Sequence, residues 1–269
     1  MKLLSPFVLA GTLAVLFFPH SLSAVTLNWN NITTWADGSR NNSFDIDPLS
    51  AGNDITVIAT PNNGAPFQNM INAPNQATPA VTSNFQGGLA SIDKTLSIAL
   101  DLTSNTQTVT VTINFAALYA AGVSNVSFTI FDVDFSNSGG NTYQDQLTLI
   151  RALSIDGTTL IAPTITTSAS NTLTGTGLNQ VVNGTASVAD TGAASGNGNV
   201  TISFGTAAIK SLTFTYGSSS LFANPTYQHI GIHNINFTPV PELNPAWSAL
   251  LSCLAATGLV LRHRSHFRK

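Results

Sequence analysis

The chain of 269 residues is short of charge: 9 are Lys or Arg and 12 are Asp or Glu, 8% in all. An average soluble domain carries about 25%. There is one cysteine, Cys253, set in an apolar stretch near the C-terminus. No disulfide can staple the rest, which must be held by its core. There is one glutamate, Glu242, so from Val25 to Pro241 every acid is an aspartate. Four cations stand there (Arg40, Lys94, Arg151, Lys210) against eleven Asp, a formal net charge of −7. Four dispersed cations do not build a phosphate-binding face, which excludes nucleic acid as a partner. Also missing are a Gly-x-Ser-x-Gly elbow, a phosphate loop and a His-Glu-x-x-His motif. Helical heptads are absent as well.

What the chain has is apolar residues, 43% of the total, enough for a large core. Its polar residues are mainly Thr, Ser and Asn, which favour sheet and turns over helix. Val109, Val111, Ile113 and Phe115 alternate with Thr110, Thr112 and Asn114. Leu96, Ile98, Leu100 and Leu102 alternate with Ser97, Ala99 and Asp101, and Leu212, Phe214 and Tyr216 with Thr213 and Thr215. Period-two patterns of this kind place one face in a core and one in water. Gly, Asn and Ser clusters, such as residues 136–141 and 195–199, supply the turns. The expected fold is all-β: one antiparallel β-sandwich over residues 25–238, jelly-roll-like. Residues 116–121 read as a short helical or turn-like piece. Four prolines between Pro61 and Pro79 read as a long surface loop. Residues 164–199 read as exposed edge strands or a long excursion.

The ends read differently. Residues 1–24 have a basic start at Lys2, an apolar run and a small polar exit, the pattern of a signal peptide cut after Ser23 or Ala24. Residues 239–269 hold Pro241-Glu242, an apolar stretch from Ala246 to Leu261 and a basic tail. Sixteen helical residues reach about 24 Å, so 246–261 is expected to be a short transmembrane helix with the tail cytoplasmic.

Together, Val240-Pro241-Glu242, the apolar stretch and the Arg-containing tail resemble the PEP-CTERM sorting signal of Gram-negative bacteria. Leu243 stands where that signal has its second Pro. The resemblance implies an exosortase, a membrane cysteine transpeptidase, as partner at Pro241 and Glu242. It also implies transient or permanent anchoring in the inner membrane, then release to the cell surface or an extracellular polysaccharide matrix. The function it implies is structural or adhesive and non-enzymatic.

Within the expected sandwich, Asp132 and Asp134 would share one face of a strand about 7 Å apart. With Asp145 on the next strand, and Asn137 and Asn141 between, they offer the oxygen ligands that calcium takes. The bland reading is that these acids solvate a strand end. The strand–Asp–strand arrangement also loosely resembles other exported β-sandwiches with such C-terminal signals. His229 and His233 on one strand would face the same way about 13 Å apart, too far to share a metal. Trp29, Trp35, Tyr119, Tyr143, Tyr216 and Tyr227 are candidates for stacking on sugars. The alternative function is therefore a carbohydrate-binding module. A glycan hydrolase is the third, with Asp132 and Asp134 as its only near pair.

Overall fold

The computed structural model describes residues 23–242 apart from 49–50, 72, 90–92, 139 and 186–193. The expected signal peptide, save its last two residues, and the expected transmembrane helix lie outside the described residues. Among the described residues no helix is long and apolar enough to cross a membrane.

The strands begin with β1 (Val25–Leu27), β2 (Asn41–Phe44), β3 (Ile55–Asn62), β4 (Asn69–Met70), β5 (Ala73–Ala77) and β6 (Ala80–Thr82). Next come β7 (Thr95–Asp101), β8 (Thr108–Phe115), β9 (Val123–Phe131), β10 (Phe135–Ser138) and β11 (Asn141–Ser154). Then follow β12 (Leu160–Ile161), β13 (Thr164–Thr167), β14 (Asn171–Thr174) and β15 (Val181–Gly184). The last are β16 (Val200–Ser203), β17 (Ile209–Ser218), β18 (Tyr227–Ile232) and β19 (Ile235–Pro239). Every pairing is antiparallel, as the alternation requires.

One layer runs β2–β3–β8–β17–β11, with β10, β12 and β15 along the far side of β11 and β14 beyond β15. The other runs β6–β7–β18–β9–β16–β13, and β19 and β1 continue it beside the first half of β9. A single pair, Ile209 with Val123, joins the layers at one corner. Val109, Val111 and Ile113 of β8 point inward and are fully buried. Across the core Phe128 stands 6.0 Å from Phe214 and Phe237 5.0 Å from Phe115, ring centre to ring centre. On the outer side, threonines line up instead: Asn62 Nδ2 donates to Thr110 Oγ1 at 2.9 Å. Residues 116–122 form hydrogen-bonded turns, Tyr119 N to Ala116 O and Gly122 N to Tyr119 O.

Two expectations are corrected here. The stretch from Pro61 to Pro79 is not simply a surface loop. It finishes β3, forms the β4–β5 hairpin and buries Met70. With Phe85 it covers the outer face of β7, so Thr95, Ser97 and Ala99 are as buried as Leu96, Ile98 and Leu100. The face of β7 expected to be wet is dry because another part of the chain lies on it. Thr78 Oγ1 accepts from Ala99 N at 3.0 Å and ties that cover down. Gly231 is the contact point: a Cβ there would come within 2.8 Å of the Phe85 ring.

The tryptophans are the second correction. Trp29 and Trp35 stand edge to face at 6.2 Å, both packed on Phe44, and both are buried. Trp35 Nε1 donates to Pro79 O at 2.9 Å. Neither offers a ring to a sugar. Residues 164–184, by contrast, do form edge strands, β13 and β14.

Candidate functional site

β9 ends at Phe131, and the chain leaves the strand there. Asp132 takes a left-handed backbone, φ +66°, which a side-chain-bearing residue seldom adopts. Asp132 and Asp134 are therefore not two positions of one strand face, as the sequence pattern suggested. Asn171 Nδ2 donates to Val133 O and Val133 N to Gly198 O, so the turn is gripped from β14 and from the loop before β16.

The turn sends its two acids to different surroundings. Asp134 is 1% exposed and Asp145 0%. Asp134 N donates to Asp145 Oδ2 at 3.1 Å, Asp145 N donates to Asp134 O at 2.9 Å, and Tyr216 Oη donates to Asp145 Oδ1 at 2.8 Å. Burial, and then the Asp134 charge, push the Asp145 carboxyl well above its ordinary value. Burial and the neighbouring Asp145 raise the Tyr216 phenol likewise. Both oxygens of Asp145 are occupied inside the protein. Asn137 and Asn141 sit exposed at the β10–β11 hairpin, whereas the three acids are buried. Among the described residues no group of three or more His, Cys, Asp or Glu side chains is placed to hold a metal.

Asp132 belongs to the outer face of the second layer. Its Oδ2 lies 3.1 Å from His229 Nε2, and its Oδ1 is buried with no hydrogen-bond partner. On β18, Tyr227, His229 and Gly231 point outward by the period of two, and His233 continues the row just past the strand. As expected, the two histidines do not meet; each has its own aspartate. His233 Nε2 is 3.5 Å from Asp93 Oδ2, an ionic approach rather than a formed hydrogen bond. Burial lowers the His233 imidazole, with Asp93 acting against it.

Aromatic rings fill the space between the two pairs. Phe85 lies 4.8 Å from the His229 ring, and Phe131 stacks on His233 at 5.0 Å. At the outer end Tyr227 stands 5.5 Å from His229, half-buried. Its hydroxyl accepts from Ile71 N at 2.9 Å and donates to Asn69 O at 3.2 Å, so the β4–β5 hairpin fixes the ring. Of the aromatics considered for sugar stacking, Tyr119, Tyr143 and Tyr216 are buried with the tryptophans. Tyr227 alone keeps part of its ring at the surface. Sequence reasoning did not single out Phe85, Asp93 or Asn199. The spacing Tyr227, His229, Gly231, His233 was the one signal for this face, because a glycine in such a row marks a close approach.

Pro241 and Glu242 are exposed at the far end of β19. Glu242 Oε1 accepts from Ala120 N at 2.9 Å, and Val240 N donates to Gly122 O at 2.9 Å. A cleft of about 600 Å³ opens beside them, walled by Val25, Asp47, Leu118, Tyr119 and Val240. It does not include Asp132 or either histidine.

No family model matches the chain, and no curated protein does. Among solved structures it is similar to a family 11 carbohydrate-binding module from Clostridium thermocellum, in complex with a beta-1,3-1,4-mixed-linked tetrasaccharide. The match has 13% identity, 76% coverage of this chain, 98% of the other and a TM-score of 0.32. At that level the reading of this chain depends on its own residues.

Proposed function

We propose that the protein is an exported β-sandwich that binds glycan on the outer face of its second layer, at Tyr227, His229 and Asp132. The observation that carries this is the fixed, half-exposed Tyr227 ring beside a histidine oriented by a carboxylate. A sugar ring has an apolar C–H face and a rim of hydroxyls. An aromatic face for the one and a polar pair for the other is the complementary surface. The binding is non-catalytic in this reading. A glycan array probed with the purified protein tests it, followed by His229→Ala on the strongest signal. Retention of a glycan that weakens about tenfold in the variant supports the reading. An array with no retained glycan refutes it.

Export and sorting belong to the same proposal. The resemblance at residues 239–269 supports them. An exosortase would act on Pro241 and Glu242, and a surface or matrix protein that holds polysaccharide combines the structural role with the binding one.

A further inference from the structure

We propose that the Asp132 turn is a calcium site whose donors are Asp132 Oδ1 and Asn199 Oδ1, completed by main-chain carbonyls of the same loops. Asp132 is 5% exposed, and Oδ1 is sealed from solvent with no donor near it. A buried acceptor left unpaired costs about 1–3 kcal/mol, more when it is charged. Native structures leave few such atoms, and each has a cause, among them strain, a catalytic role, a water or an ion.

The second observation is independent. Asn199 Nδ2 donates to Gly87 O at 2.8 Å, while the Oδ1 at the other end of the same amide is also buried without a partner. The two residues are neighbours. The β9–β16 ladder, Val200 opposite Ile130, continues past both strands, where Val133 N donates to Gly198 O at 3.0 Å. A Cβ at Gly198 would lie 3.1 Å from Asp132 Cα, so the loops touch. Two acceptors cannot satisfy each other. What is missing must donate to both or carry positive charge.

Calcium fits this donor set better than other cations. It takes carboxylate, amide and carbonyl oxygens together and tolerates irregular geometry, whereas magnesium needs a near-ideal octahedron and keeps its waters. Among the described residues there is no cysteine to favour a softer metal. Charge favours a cation as well: Asp132 and Asp134 stand two residues apart at this end, and among the described residues no Lys or Arg pairs with Asp132. The His229 contact holds Oδ2 and so aims Oδ1. The site differs from the one expected from sequence. Asp145 is not a ligand, because Tyr216 and the Asp134 N–H already take its oxygens.

Calorimetric titration of the chelator-treated protein with calcium chloride tests this, together with melting curves with and without calcium. Binding should raise the melting temperature by about 5–10 °C at calcium one hundred times its Kd. The rise should vanish in Asp132→Asn, shrink in Asn199→Ala and persist in Asp145→Asn. Asn199→Ala keeps the test decisive if Asp132→Asn fails to fold. No heat and no shift at millimolar calcium would overturn the proposal, leaving water in the site. So would an equal response to magnesium, or a shift that survives Asp132→Asn. None of these readouts needs a glycan, so the calcium site and the glycan-binding reading stand or fall separately.

Discussion

Replacing Asp145 with asparagine should flatten the pH dependence of this fold. Asp145 is wholly buried, and burial with the Asp134 charge holds its carboxyl well above its ordinary value of 3.8. Such a group keeps its proton in the folded chain at pH values where the unfolded chain has released it. The folded state then binds more protons, so stability is greatest in acid. It falls as pH rises past the unfolded value and stops falling once the folded carboxyl ionises. One proton's difference sets a slope of at most about 1.4 kcal/mol per pH unit. Two units inside that window remove up to about 2.7 kcal/mol, a large part of a usual stability of about 5–15 kcal/mol. An amide at 145 cannot ionise. Its NH2 is bulkier than the hydroxyl of a protonated carboxyl, in a site with no room to spare beside Tyr216 Oη and Asp134 N. The variant therefore starts about 1 kcal/mol weaker in acid. Urea unfolding in chelator, from about pH 4 to about pH 8, measures both proteins. The two curves should converge as pH rises and cross where the parent has lost about 1 kcal/mol. Parallel curves would show that Asp145 is ionised in the fold and that the burial argument is wrong.

Other consequences are simpler to measure. Phe85→Ala should cost about 3–5 kcal/mol in urea unfolding, since the ring is fully buried on Gly231 and anchors the cover over β7; a loss under about 1 kcal/mol would mean the cover collapses into the gap. Gly184→Ala should destabilise by about 3 kcal/mol, because a Cβ there would run into the Asp134 main-chain carbonyl. His233 has a lowered imidazole, so the unfolded chain protonates first as pH falls below 6.5 and stability drops with it. His233→Gln should lessen that acid-side loss, and an unchanged pH profile would count against the assignment. The intact mass of protein recovered from cells reads the sorting proposal: a chain ending near Pro241–Leu243 supports it, and one ending at Lys269 means a resident anchor.

The fold was legible because its signal is local. The alternation in Val109–Phe115 and Leu212–Tyr216 places side chains on two faces, and antiparallel pairing follows from it. The same pattern in Leu96–Leu102 gave the strand but not the burial of its second face. That burial comes from Met70 and Phe85, residues whose position over β7 no window of sequence displays. The tryptophans misled for a similar reason: Trp29 and Trp35 lie in turn-rich segments that look exposed until they pack on each other and on Phe44. For the site, the acids were identified, but their division was not. Asp134 and Asp145 fold inward while Asp132 turns outward, a consequence of one left-handed residue. The pairing of His229 with Asp132 and of His233 with Asp93 spans 97 and 140 positions and is set wholly by the register of β18 against β7 and β9.

The most direct test of the glycan-binding reading is a titration of the best array ligand into the purified protein, Tyr227→Ala and Tyr227→Phe. The phenylalanine variant keeps the ring and loses only the tether to Ile71 and Asn69. Alanine should weaken binding about tenfold and phenylalanine should change it little. Equal affinity in all three proteins would place the ligand elsewhere and contradict it.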